Sequence, residues 1–203
     1  MSAKFLLTKP PREVIQAFLE GQGDQPFSYA AQGATRGQAP NGYTSDRNGI
    51  ELGRGAAVFA RAVEAVRQWK MFDIGWLELC WPDTPIQPGS TVAVLAKHYG
   101  IWSLNACRIV YVVDGPGAHR EFGFAYGTLT GHAETGEERF TVELRPEDES
   151  VWYNIYAFSR PSGLARLGYP FARRLQKRFA SDSKEAMRRA TRTALTERPG
   201  VPR

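Results

Sequence analysis

Titratable side chains that could perform chemistry cluster in one short stretch of the sequence. His132, Glu134, Glu137 and Glu138 fall within seven consecutive residues. Such a group could hold a metal ion or exchange protons with a substrate. Its spacing matches no standard metal-ligand pattern, and no second histidine is close in sequence. We therefore favour a charged hairpin in which His132 caps the turn. Glu138 then begins a strand and pairs with an arginine of a neighbouring strand.

A second set of polar residues lies on otherwise apolar strand faces. Arg108 shares its predicted face with Trp102 and other apolar residues, and a buried cation needs a partner. It is either the anchor of a buried ion pair, with Glu78 as candidate partner, or a residue that contacts an anionic ligand group. His98 is interpreted as a hydrogen-bonded core or hairpin-end histidine, with a ligand contact as the alternative.

Motifs of several enzyme classes are absent from the sequence. There is no GxSxG nucleophile motif, no phosphate-binding GxxxxGK[ST] loop and no dinucleotide-binding glycine motif between a strand and a helix. Cys80 and Cys107 are 27 positions apart and form no CxxC motif. We expect both to be small buried apolar residues, and we expect no cofactor and no metal site.

Hydrophobic periodicity predicts the elements that position these residues. Helical spacing predicts helices over residues 10–20 and 56–70, separated by loops with weak strands at 27–31 and 43–52. Six segments of period two follow, joined by short polar turns: 74–81, 91–99, 101–113, 121–130, 139–145 and 151–159. After Pro161 the spacing is helical again, with an apolar stripe formed by Leu164, Leu167, Phe171, Leu175 and Phe179. Gly168 and Pro170 indicate a short helix followed by a longer one.

This order predicts an α+β fold in which a curved antiparallel sheet of about six to seven strands wraps around a long C-terminal helix. A sheet with one buried face needs a cover, and the amphipathic C-terminal helix supplies it. We divide the chain into an N-terminal helix and lead-in (1–25), a single domain (26–195) and a flexible tail (196–203). The same order is typical of helix-grip domains, which include birch-allergen-like and START-like proteins.

The string FGFAYGTLTGHAETGEERF at residues 122–140 is long and unusual. Together with residues 59–76, 107–113 and 157–161, it resembles uncharacterised protein family 0548, and the resemblance covers about residues 26–192. The resemblance implies a single domain related to helix-grip folds, and it implies no activity, cofactor or catalytic residue. In residues 123–129 glycine, alanine and leucine share one strand face, which favours close packing of another element over close approach of a ligand.

Charge is distributed unevenly along the 203 residues. Residues 160–203 hold 12 basic and 3 acidic residues, a net +9, whereas the whole chain carries +5. We favour a solvated basic helix face, with weak contact to an anionic surface as the alternative partner and no nucleic-acid motif. No apolar run reaches 18 residues, and the N-terminus lacks signal-peptide features. We therefore expect a cytoplasmic protein.

These observations predict a binding protein for a small hydrophobic or amphipathic ligand held between the sheet and the C-terminal helix. The expected ligand-binding residues are Trp76, Glu78, His98, Trp102, Arg108, Tyr126 and Phe171. Arg108 and His98 are the expected polar anchors. The alternatives are an enzyme of cyclase, hydrolase or isomerase type that uses Tyr126, His98 or Glu78, and an interaction protein that uses its basic C-terminal helix.

Overall fold

A computed structural model describes residues 4–115, 120–161 and 169–192 of the chain. In chain order its elements are β1 (Lys4–Leu6), α1 (Arg12–Glu20), β2 (Thr44–Arg54), α2 (Ala56–Arg67), β3 (Leu77–Cys80), β4 (Thr91–His98), β5 (Ile101–Gly115), β6 (Arg120–Thr128), β7 (Glu134–Leu144), β8 (Ser150–Pro161) and α3 (Tyr169–Thr191). Two single 3₁₀ turns lie between these elements, Ala34–Arg36 before β2 and Lys70–Phe72 before β3.

The eight strands of the described residues form one antiparallel sheet. Strands β3 to β8 make a continuous meander, because each pairs with the next along the chain. Strand β2 pairs with β8 and so closes the far edge, and β1 pairs with residues 102–104 of β5. The curved sheet holds α3 against its inner face, which is the predicted helix-grip fold. The expected strand number of six to seven is too low, because β1 has only three residues and no readable alternation.

The inner face of the sheet carries the larger hydrophobic core. Helix α2 places Phe59, Ala62, Val66 and Trp69 against it, at the spacing of one helical face. Aromatic residues of β6 and β7 fill the space below, with Trp69 and Phe124 ring centroids 4.7 Å apart. The C-terminal half of α3 packs here through Ala180, Ser183, Ala186 and Met187, which are all buried.

A smaller core lies on the outer face of the sheet. Helix α1 buries Ile15 and Phe18 there, against Leu95 of β4 and Leu104 of β5. Tyr29 covers Gly127 of β6 so closely that a Cβ at this glycine would overlap the Tyr29 ring. The glycine-lined strand face therefore admits another segment of this chain, as the packing interpretation expected.

Most predicted boundaries agree with the structure, and several regions differ, among them β3, which is shorter than the predicted 74–81. Strand β7 begins five residues before the expected start, and β2 is a full strand of 11 residues. Residues 27–31 form only an isolated bridge between Phe27 and Leu129. Helix α3 begins at Tyr169 and has Pro170 in its first turn, where a proline is tolerated. Leu164, Leu167 and the predicted tail at 196–203 lie outside the described residues.

Candidate ligand-binding cavity

A cavity of about 670 Å³ lies between the inner face of the sheet and the N-terminal half of α3. Strands β4 to β8 contribute its floor, β2 one side, and the segment that leads into β3 the other. The apolar part of its lining includes Phe72, Trp76, Leu77, Val94, Tyr126, Ile155, Phe171, Leu175 and Phe179. The space exists because α3 is packed tightly through small residues only in its C-terminal half.

Polar contacts on two sides hold α3 over the cavity. The Arg173 guanidinium forms an ion pair with Asp46 of β2, with a distance of 2.8 Å between Nη2 and Oδ1. This contact lowers the pKa of Asp46. On the opposite side, the Trp76 indole nitrogen donates a hydrogen bond of 2.8 Å to Asp182. Arg178 and Lys177 of α3 are exposed as expected, whereas Arg173 is mostly buried in its ion pair, so its predicted solvation is wrong.

Glu138 and Tyr126 form the most distinctive polar group of the cavity. The Tyr126 hydroxyl donates a hydrogen bond of 3.0 Å to Glu138 Oε2, since Tyr126 of β6 and Glu138 of β7 are direct partners in the sheet. The pKa of Glu138 is raised to about 8, chiefly by burial and to a smaller extent by the nearby carboxylates of Glu134 and Asp46. The hydrogen bond from Tyr126 acts in the opposite direction. The carboxyl is therefore largely protonated at neutral pH.

Glu134 and His132 lie near the same end of the cavity. The Gln176 amide of α3 donates a hydrogen bond of 2.6 Å to Glu134, and burial raises the pKa of this carboxyl. His132 Nδ1 accepts a hydrogen bond of 3.0 Å from the backbone N–H of Glu134, so His132 caps the turn as expected. Burial lowers the pKa of His132 to about 4, which keeps the imidazole neutral at physiological pH.

His98 forms a second polar patch with Ser103 and Asn105 on β4 and β5. His98 Nε2 lies 3.5 Å from Ser103 Oγ, and the Asn105 amide donates a hydrogen bond of 3.2 Å to the same oxygen. Within the described residues, His98 Nδ1 and Asn105 Oδ1 are buried and have no hydrogen-bond partner. Burial lowers the pKa of His98, and the charge of Arg178 acts in the same direction. The imidazole is therefore neutral.

Four of the seven expected ligand-binding residues line the cavity, and three do not. Trp76, His98, Tyr126 and Phe171 contribute to its walls. Trp102, Arg108 and Glu78 lie elsewhere. Trp102 packs against the outer core that α1 covers. Alternation along a strand separates the two faces, but it does not reveal which face borders the cavity.

Arg108 holds the N-terminal region against the sheet. Its guanidinium donates hydrogen bonds of 2.8 and 2.7 Å to the backbone carbonyls of Gln22 and Gly23, and one of 3.1 Å to Thr91 Oγ1. Glu78 forms its ion pair with Lys9, at 2.5 Å. The expected pairing of Arg108 with Glu78 is therefore wrong, and so is the placement of Arg108 as an anchor in the pocket.

A β-bulge changes the side-chain pattern of β5 just beyond Arg108. The pairing of β5 with β6 shifts between Ile109 and Tyr111, so the side chains of β5 change faces at this point. Val112 therefore packs against the inner core together with Ile109, whereas a strict alternation placed it with Arg108. A bulge of one residue leaves no clear signal in a single sequence.

Residues 132–138 form the expected hairpin between β6 and β7, and one of its glutamates has a structural role. Glu137 is only 2% exposed and lies on the outer face of the sheet. It accepts hydrogen bonds from the Tyr29 hydroxyl (2.6 Å), the Gly33 N–H (2.7 Å) and the Thr35 N–H (3.0 Å), and also from the Thr35 hydroxyl. This carboxylate fixes the loop at residues 27–37 over the sheet.

Glu138 is not the ion-pair partner of an arginine. The ion pair of this region joins Arg139 to Glu121 instead. One signal in the sequence could have placed Glu134 and Glu138 in the cavity. Both are separated from Phe140 and Val142 by an even number of positions along β7. Those two residues are fully buried in the inner core, and a strand directs every second side chain to the same face.

Neither the cysteines nor the acidic residues provide a metal site in the part of the chain that the structure describes. No group of three or more His, Cys, Asp and Glu side chains there is arranged to hold a metal ion. Cys80 and Cys107 are buried free thiols, and burial raises the pKa of both. Of the described helices, none combines the length and the apolar character needed to cross a membrane.

Comparison with known proteins identifies the family. Residues 28–186 match the model of a domain of unknown function, DUF1990. A UPF0548 protein of Dictyostelium discoideum is 35% identical over 205 residues, which cover 92% of this chain and 95% of that protein. A UPF0548 protein of Deinococcus radiodurans is 35% identical over 189 residues, which cover 87% and 93%.

A solved structure, that of Ara h 8.0201, is also similar. It covers 74% of this chain and 98% of its own, at 15% identity and a TM-score of 0.46. We draw no conclusion about ligands or activity from so distant a likeness. The family match spans most of the chain, and the two relatives match it over nearly their whole length. The chain therefore belongs to the UPF0548 family.

Proposed function

We propose that the protein binds a small hydrophobic or amphipathic molecule in the cavity between the sheet and α3. The observation that carries this proposal is the cavity of about 670 Å³, because protein interiors otherwise pack at the density of organic crystals. Ligand sites typically enclose roughly 300–1,000 Å³ and combine an apolar lining with a few convergent polar groups. This cavity has both properties.

The polar groups of the cavity indicate which ligand head group it accepts. Glu134 and Glu138 line one end, and Asp46 already has its ion-pair partner in Arg173. An anionic head group at that end would meet carboxyl groups. The ligand that fits is therefore neutral or cationic at its polar end, where it exchanges a hydrogen bond with Glu138 or with the patch around His98.

A titration with an uncharged fluorescent probe, N-phenyl-1-naphthylamine, tests the proposal. We expect saturable binding at one site per chain. Arg108→Ala serves as a matched control, because Arg108 lies outside the cavity, and we expect it to bind the probe as the unaltered protein does. Binding that never saturates, or that saturates only at many sites per chain, would overturn the proposal.

One observation favours a second candidate, an enzyme that performs acid–base chemistry in the same cavity. Glu138 combines burial, a hydrogen bond to Tyr126 and a pKa of about 8, which suits a group that both donates and accepts protons near neutral pH. Glu78 is no longer a candidate, because it lies outside the cavity with Lys9 as its partner.

Native mass spectrometry distinguishes the two candidates. Both the unaltered protein and Glu138→Gln are purified from the same cells without detergent, and their co-purified molecules are weighed. An enzyme that uses Glu138 retains unconverted substrate in the variant, so the two bound molecules differ in mass or, for an isomerisation, in chromatographic retention after extraction. A binding protein retains the same molecule in both, and identical mass together with identical retention would exclude the role of Glu138 in catalysis.

A further inference from the structure

Large apolar side chains are exposed at one place on the surface. Among the described residues, the strongly exposed large hydrophobic side chains are Phe5, Leu7, Tyr99, Ile101 and Phe171, and we call this set the apolar rim. Leu7 is 84% exposed and Tyr99 is 78% exposed. Isolated exposed hydrophobic residues are ordinary on a protein surface, but a collection of all of them in one place indicates an interaction site.

The backbone brings the members of the apolar rim together from three elements. Tyr99 and Ile101 flank Gly100 in the tight turn between β4 and β5. Strand β1 pairs with β5, which places Phe5 opposite Ser103 and brings Leu7 to the same end of the sheet. From α3, the Phe171 ring contacts the Tyr99 ring, with centroids 5.2 Å apart. The rim is therefore a continuous feature of the fold.

The apolar rim borders the cavity at one end. Phe5 and Phe171 belong both to the rim and to the cavity lining. His98 also lines the cavity, and its ring centroid is 6.5 Å from that of Phe171. Whatever covers the rim therefore also covers this end of the cavity.

Positive charge accompanies the apolar rim. The three segments that carry it, residues 4–9, 97–103 and 169–181, contain seven Lys or Arg residues and no Asp or Glu. Lys9, Arg173 and Arg178 form ion pairs with acidic residues outside these segments, whereas Lys97, Arg174 and Lys177 are exposed and supply the positive charge beside the rim. Aromatic and aliphatic side chains that project beside lysine and arginine suit the interface of an anionic lipid bilayer, where rings enter the head-group layer and cations contact phosphate groups.

We propose that the apolar rim is a docking surface for anionic lipid membranes, and that it places the adjoining end of the cavity against the bilayer. The protein then lies on the membrane surface and inserts only the tip of the β4–β5 turn, the end of β1 with Leu7, and the beginning of α3. The inference concerns a different surface from the cavity interior, and membrane docking does not require that the cavity holds a ligand.

Flotation with lipid vesicles tests this inference. One set of vesicles contains phosphatidylcholine alone, and the other contains about 30% phosphatidylserine. We expect the full chain to float with the anionic vesicles, and binding should decrease as salt is added. The double variant Leu7→Ser/Tyr99→Asn removes the two most exposed members of the rim. Asparagine is chosen because Tyr99 has a φ of 47°, which asparagine tolerates.

Matched charge variants separate the rim from general basic character. Arg174→Gln/Lys177→Gln removes two charges beside the rim, and we expect about thirtyfold weaker binding to anionic vesicles. Arg189→Gln/Arg192→Gln removes two charges from the same helix about 20 Å away, by helical rise, and we expect little change. All six positions are exposed, so we expect each variant to retain the fold, and thermal unfolding verifies this.

Three results would overturn the inference. The first is an absence of binding to anionic vesicles at low salt. The second is equal binding by the rim variants and the distal charge variants, because general basic charge would then be sufficient. The third combines two observations: the unaltered protein does not bind vesicles, and it sediments as a dimer that dissociates in Leu7→Ser/Tyr99→Asn. The rim would then be an interface between two copies of the chain.

Discussion

Glu138 shows how the sheet changes the chemistry of a single side chain. Its neighbours in sequence, Glu137 and Arg139, belong to the opposite face and have strong polar partners. Glu138 itself points to the cavity, where it accepts a hydrogen bond from the Tyr126 hydroxyl. The folded protein therefore retains the proton of Glu138 up to about pH 8, whereas the unfolded chain releases it near pH 4.5.

Glu138→Gln should change how stability depends on pH. Between those two pH values the folded state binds more protons than the unfolded state, so the free energy of unfolding falls as pH rises. Glutamine cannot ionise, and its carbonyl still accepts the Tyr126 hydrogen bond. From pH 5.5 to 7.5 the unaltered protein should therefore lose stability relative to the variant, by about 1 kcal/mol per pH unit.

Urea unfolding at the two pH values measures this difference. Comparison with the variant isolates Glu138 from other titrating groups, such as His132, whose lowered pKa acts in the opposite sense below pH 6.5. Glu51→Gln, on the exposed side of β2, is the control and should retain the dependence of the unaltered protein. Parallel pH profiles for Glu138→Gln and the unaltered protein would contradict the assignment.

Glu137 has a structural role of comparable weight on the outer face. In Glu137→Gln, one of the two carboxylate oxygens that together accept four hydrogen bonds is replaced by an NH₂ group. The two N–H bonds of that group then face N–H or O–H donors and form no hydrogen bond with them. We expect a loss of about 2–3 kcal/mol in the free energy of unfolding and faster amide hydrogen exchange at residues 33–35. Protected amides there, at unchanged stability, would show that the loop does not depend on this carboxylate.

The types of these residues were readable from the sequence, but their surroundings were not. The stretch at 132–138 was singled out, and the role of His132 as a turn cap is confirmed. Whether Glu138 meets solvent, an arginine or a cavity depends on which strand lies beside β7 and on what covers it. The prediction that Arg108 lies in the pocket was wrong for the same reason, since the segment that receives its hydrogen bonds is more than 80 positions away.

At the scale of elements, helix α3 consists of two halves with different attachments. Its C-terminal half is packed through small side chains, and Ser183 forms a buried hydrogen bond of 2.9 Å with Tyr153. Its N-terminal half rests on larger residues above the cavity and is held by the contacts of Arg173 with Asp46 and of Gln176 with Glu134. The second half is therefore anchored firmly, and the first half depends on polar contacts that bridge the cavity.

Asp46→Asn should loosen the first half of α3 selectively. The substitution removes the ion pair with Arg173, at an expected cost of about 1 kcal/mol for a partly exposed pair. We expect faster amide exchange over residues 173–180 and little change over 183–191. The matched control is Glu185→Gln, which removes an exposed ion pair with Arg188 in the second half. An equal increase over both halves in Asp46→Asn would contradict the two-part attachment.

Periodicity predicted the long elements well because each has one buried face. The fold class, α2, and strands β4, β5, β6 and β8 agree closely with the expectation. The exceptions have physical causes. Strand β2 is an edge strand with two glycines, so its apolar alternation is weak. The beginning of β7 carries glutamates and a glycine on buried positions, and such a pattern is typical of a loop.

At the scale of the whole molecule, the sheet and α3 together enclose more space than their side chains fill. The sequence supplies aromatic rings, such as Trp76, Tyr126 and Phe179, that could either occupy such a space or form its walls. Their directions depend on the curvature of the sheet and on the angle of α3, neither of which is encoded locally. The existence of a cavity could therefore not be decided from the sequence.

The most direct test of the central claim fills the cavity from within. Ala157 of β8 lines the cavity, so Ala157→Phe places a ring in the proposed ligand space, whereas Ala57→Phe adds the same ring to the exposed surface of α2. We expect binding of N-phenyl-1-naphthylamine to be abolished by Ala157→Phe and unchanged in Ala57→Phe, with both variants folded. Equal affinity of the two variants for the probe would contradict a ligand site between the sheet and α3.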